Sequence, residues 1–151
     1  MLLDKTLLEF QRTKDLLIIK EMEREKKILK FHFEEIIFIL LILSTDLKDY
    51  EKSDLKLFAE AIQRIDSLFT ENFLEQLKTI GLEFDNNDLK KFIELKEKIQ
   101  QIYSYHWYEK LLIDSQQMLE IKEISKFLLE KTNVKYVEPI VYSESHMNID
   151  W

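Results

Sequence analysis

Two short motifs carry the side chains best suited to chemistry: His32-Phe33-Glu34-Glu35 and His106-Trp107-Tyr108-Glu109. In each, a histidine stands three residues before a glutamate, a spacing that puts both on one face of a helix. Carboxylate-bridged di-metal sites in helical bundles use the reverse order, Glu-x-x-His, with further glutamates facing them. Each pair here therefore reads as an intrahelical hydrogen bond, and no metal is expected. The Arg24–His32 spacing is too wide for the arginine–histidine motif with which some small helical domains cleave RNA. No serine sits in a glycine-flanked elbow, the turn that presents a nucleophile in hydrolases. With no cysteine there is no thiolate nucleophile, disulfide or cysteine-ligated zinc. A single glycine, Gly81, excludes phosphate-cradling loops, which need several residues tolerant of positive φ. The expectation is a non-catalytic chain without a cofactor.

Recognition has better candidates than catalysis. Residues 31–80 carry ten acids and five bases, a net −5, whereas residues 1–30 are net +2. The acids begin with Asp46, Asp49, Glu51 and Asp54 around Tyr50, and Asp46, Tyr50 and Asp54 would share a face if the segment were helical. That is an acidic surface with an aromatic anchor, suited to a basic protein partner by charge steering. A second patch lies in Tyr103-Ser-Tyr105-His106-Trp107-Tyr108. On a continuing helix, Tyr103 and His106 follow the inward stripe while Tyr105 and Tyr108 face elsewhere. Tyrosine and tryptophan are enriched where interfaces concentrate their binding energy.

The elements that must position these residues are helical. No glycine or proline occurs in residues 1–80. Leu3, Leu7, Phe10, Leu17 and Ile18 form a helical stripe that continues to Met22. Residues 20–27 are almost wholly charged, so a first helix either ends there or crosses it solvated; a second is expected over 28–43. The polar stretch 46–53 follows, with Ser53 as the expected N-cap of a helix whose inward face is Leu55, Phe58, Ile62, Ile65 and Phe69. Asn72 and Glu75 suggest a short helix to Ile80, closed by Gly81. Asp85-Asn86-Asn87-Asp88 opens a long helix with the stripe Phe92, Leu95, Ile99, Ile102, Tyr103, His106. Asp114 and Gln117 open a last one reaching about Lys131, with Met118, Ile121, Ile124 and Leu128 inward. Beyond Asn133 the sequence reads as extended chain. The expected architecture is a single all-α domain, a bundle of about five or six helices over residues 1–133, with an extended C-terminal arm over 134–151.

At 151 residues, with 46% hydrophobic and 34% charged residues, one folded domain is expected. The net charge of −7, and 19 lysines against three arginines, argue against nucleic acid and anionic membrane as partners. The longest apolar run, residues 36–43, is too short to span a bilayer. The N-terminus lacks the pattern of a signal peptide, so cytoplasm is the expected location. The resulting expectation is an acidic protein-binding module for a basic protein partner, with Asp46, Asp49, Tyr50, Glu51, Asp54, Tyr105 and Tyr108 as contacts. Bacterial immunity proteins and antitoxins share that physical character, an analogy of class rather than of residues. The alternative is a structural subunit of a helical homo-oligomer or larger assembly; a metal-dependent helical enzyme ranks third.

Overall fold

The computed structural model describes the backbone of residues 2–103 and 107–147, and their side chains except those of 2–4 and 108. The chain is all-α, about 80% helical, with no strand among the described residues. Its elements are α1 (Leu2–Leu43), α2 (Lys52–Gln63), α3 (Ile65–Leu68) and α4 (Glu71–Gln76), which passes into a 3₁₀ turn, Leu77–Ile80. After these come α5 (Asn86–Ile102), a 3₁₀ segment Trp107–Leu112, α6 (Gln116–Lys131) and α7 (Pro139–His146).

No break separates a first helix from the one expected over 28–43. Helix α1 is one continuous rod of 42 residues, about 63 Å long at 1.5 Å per residue. The charged stretch 20–27 fails to stop it because it consists of strong helix formers with no glycine or proline. It also places Glu23 three and four residues ahead of Lys26 and Lys27, a favourable charge order.

The core is built around the C-terminal end of α1, where residues 36–43 are at most 4% exposed. An apolar run that covers every side of a helix must be enclosed on every side. Here α2, α3, the turn Leu77–Ile80, α6 and α7 all pack on α1, and α5 closes over α6. The predicted inward stripe of α2 and α3 is buried from Leu55 through Phe69. Those of α5 and α6 are buried at Phe92, Leu95, Ile99, Ile102, Ile121, Ile124 and Leu128. Full burial of each such side chain contributes roughly 1.5–3 kcal/mol.

Helix ends follow local chemistry, sometimes a residue or two from the expected position. Helix α2 begins after Glu51, which makes no side-chain cap, rather than after Ser53. The α4 cap is Thr70, which accepts from the Phe73 N–H at 3.2 Å. Ser115, not Asp114, caps α6. Asp85 and Asp88 form a reciprocal capping box on α5. Gly81 lies at φ +89°, the left-handed conformation that ends the preceding turn.

Two expectations require correction. Helix α5 stops at Ile102, with Tyr103 extended, instead of carrying its stripe through His106. The tail is not extended throughout: residues 134–138 lack regular structure, but 139–146 form α7. Pro139, read as a mark of extended chain, occupies the first turn of α7, where its missing N–H costs nothing. Glu138 caps that helix by accepting from the N–H groups of Ile140 and Val141 at 3.0 and 2.9 Å.

Candidate functional site

The first histidine motif lies where α1 enters the bundle. His32 Nδ1 and Glu35 Oε1 are 2.7 Å apart, as the three-residue spacing predicts. Arg64 donates from Nε to the other Glu35 oxygen at 3.1 Å. The His32 ring is wedged edge-on between Phe31 and Phe73, with centroids 5.5 and 5.8 Å away. Both carboxylate oxygens of Glu35 are thus engaged by protein groups. Among the described residues, no set of three or more histidine, aspartate or glutamate side chains is placed to hold a metal. His106 lies outside the described residues, and Glu109 is exposed in the segment Trp107–Leu112.

The acidic segment is a loop, not a helix: residues 44–51 have no helical structure, so Asp46, Tyr50 and Asp54 do not share a helical face. Asp46, Asp49 and Glu51 are exposed, while Asp54, in the first turn of α2, is half-buried. Lys48 in their midst pairs with Asp114, and the two groups shift each other's proton affinity. The hydrogen bond and charge of Asp114 raise the lysine, and those of Lys48 lower the carboxyl.

Tyr50 is turned inward, half-buried and edge-on to Phe58 at 5.1 Å. Its hydroxyl donates to Glu138 Oε1. Nearby, Thr45 Oγ1 donates to the Leu41 carbonyl at 2.6 Å, so the Tyr136 hydroxyl, 2.7 Å from the same oxygen, is the donor to it. The loop is therefore tied at two points to the segment leading into α7. Burial opposes ionisation of Glu138, but the Tyr50 hydroxyl and the Ile140 and Val141 N–H groups outweigh it and hold its carboxyl below the usual range.

In the aromatic segment, Trp107 is buried and lies edge-on to Tyr103, with centroids 4.9 Å apart. Tyr105 lies outside the described residues, as does the side chain of Tyr108. The aromatic rings that are described here therefore belong to the core.

The surface that composition and spacing did not single out is the free length of α1. Every residue from 5 to 28 is exposed. The stripe Leu7, Phe10, Leu17 and Ile18 reads in the sequence as one helical face, and these residues are between 47% and 69% exposed, with Leu8 and Ile28 in the same range. Residues 16–19, four consecutive large aliphatics, encircle the rod. The available signal was the stretch 20–27: a helix with only Met22 apolar over eight residues cannot lie in the same core as the residues before and after it.

Among the described residues no helix is long and apolar enough to cross a membrane. No protein-family model matches the chain, and neither a curated protein nor a solved structure is detectably similar to it.

Proposed function

We propose that the chain is a non-catalytic protein-interaction module and that its binding element is the free length of α1. One observation carries this reading: Leu7, Phe10, Leu17, Ile18 and Ile28 stand 47–69% exposed along a single helix, uncovered by any other described part of the chain. Scattered apolar residues on a surface need no explanation, but a cluster of large ones recurring along one helix face does, because monomers rarely expose one without a partner for it. A bare helix with an apolar face is also the shape that docks into a groove or against another helix.

The test is co-purification from the native host with the full chain as bait, beside the variant Leu17→Asp/Ile18→Asp. A differently tagged second copy of the chain is included among the candidate partners. Stoichiometric partners held by the wild type and lost from the variant support the reading. Identical partners on both, or none on either, overturn it.

A second reading keeps the acidic loop as the contact for a basic protein, in the manner of an immunity protein or antitoxin. It is favoured by Asp46, Asp49 and Glu51, which are exposed together on a loop whose own lysine, Lys48, is committed to Asp114. Under that reading Asp49→Lys abolishes capture of the partner while Leu17→Asp/Ile18→Asp leaves it intact.

A further inference from the structure

We infer that the free length of α1 pairs with the same element of a second copy of this chain, antiparallel, about a two-fold centre between Leu17 and Ile18. The inference rests on the reading of α1 as the binding element and names its occupant. On a helix of 3.6 residues per turn, Leu7, Phe10, Lys14, Leu17, Glu21, Glu25 and Ile28 fall in one seam, with Ile18 at its edge. Three charges interrupt that seam, Lys14 on one side of its centre and Glu21 and Glu25 on the other.

A charge in an apolar seam is costly unless a partner meets it, and such residues set the register and direction of helix pairs. Parallel, in-register pairing brings Lys14 to Lys14 and Glu21 to Glu21. Antiparallel pairing about the proposed centre brings Lys14 of each copy to Glu21 of the other. The same alignment sets Leu7 against Ile28, Leu17 against Ile18 and Phe10 against Glu25. The paired stretch, residues 7–28, falls within the part of α1 that the bundle leaves bare.

The available area fits. Leu7, Phe10, Leu17, Ile18 and Ile28 are 47–69% exposed, and at on the order of 100 Å² each they offer roughly 500 Å² of apolar surface per copy. A stable interface of standard size takes ~800 Å² from each partner, of which about 60% is apolar. The two bundles then sit at opposite ends of the paired rods, so neither obstructs the other.

The experiment measures molar mass by light scattering and the dissociation constant by sedimentation equilibrium on the full chain. It compares wild type, Lys14→Glu, Glu21→Lys and the double exchange Lys14→Glu/Glu21→Lys, with far-UV circular dichroism as a check that each is folded. The wild type is expected to be a dimer. Each single exchange places like charges in contact twice per dimer and weakens association by at least about tenfold, whereas the double exchange restores opposite charges and brings affinity back to within about threefold. Single variants that associate as tightly as the wild type overturn the antiparallel register, and a wild type that stays monomeric overturns self-pairing. A monomer that still captures a host protein through Leu17 and Ile18 leaves the binding role of α1 standing; a monomer that captures nothing removes both.

Discussion

Tyr50 and Tyr103 each take a hydroxyl out of water, but among the described residues only Tyr50 finds an acceptor for it. The Tyr50 hydroxyl donates to the Glu138 carboxylate, while Tyr103 Oη is buried without a hydrogen-bond partner among the described residues. Burial, and then the charge of Asp66, push the Tyr103 phenol up to about 12. A hydrogen bond to a charged acceptor contributes about 1.5–3 kcal/mol net, whereas an unsatisfied buried hydroxyl costs about 1–3 kcal/mol. Tyr50→Phe should therefore lower stability by about 2 kcal/mol, and Tyr103→Phe should leave it unchanged or raise it by up to about 1 kcal/mol. Urea midpoints at neutral pH compare the two directly. A loss at Tyr103 equal to that at Tyr50 would mean that the Tyr103 hydroxyl is satisfied. Neither role was legible in the sequence, where both tyrosines stand in segments rich in polar and aromatic neighbours. The partner of Tyr50 lies 88 residues away, and no local spacing encodes such a contact.

At the scale of elements, most helices could be read from their stripes, because burial imposes a three-to-four-residue period on any segment lying against a core. The stripe from Leu55 to Phe69 and that of α6 were legible for this reason. Periodicity does not say what covers the stripe. Leu7, Phe10, Leu17 and Ile18 have the same period as the buried stripes and stand in the open. The C-terminal helix escaped for the opposite reason: α7 has eight residues, two of them buried, and starts at a proline. Its start depends on Glu138, whose carboxyl is held below the usual range. A carboxyl depressed on folding contributes stability above its unfolded pKa, and that contribution is lost as pH falls through the folded value. The docking of α7 should accordingly weaken on acidification below about pH 4.5, the ordinary range of a glutamate. Glu138→Gln should be less stable at pH 7 and show a shallower decline between pH 5 and pH 3. Urea midpoints across that range decide it, and parallel declines in the two proteins would remove Glu138 as the responsible group.

For the whole molecule, the division of charge and the division of burial fall at nearly the same place. Residues 1–30 are net +2, which leaves −9 on the remainder of a chain totalling −7. Every buried apolar side chain that is described comes from residue 36 or later. The molecule therefore behaves as an acidic bundle that supplies its own stability and carries a near-neutral rod that does not add to it. An isolated helix of that length is marginal in water, because most helical stability in proteins comes from tertiary packing. The rod is instead an extension of a helix whose base is already nucleated in the core. Removing residues 1–27 should then cost the bundle less than about 1 kcal/mol, since surface changes remote from packed groups rarely do more. By contrast, Leu40→Ala in the full chain should cost about 2–5 kcal/mol, because Leu40 is fully enclosed and its loss leaves a cavity. Chemical denaturation measured at low protein concentration, where any self-association is dissociated, isolates the intramolecular part. A truncated chain that unfolds, or loses stability on the scale of the Leu40 variant, would show that the rod folds back on the bundle in solution. An unchanged midpoint, with helical signal reduced by the length removed, would leave the rod free to be stabilised by association alone.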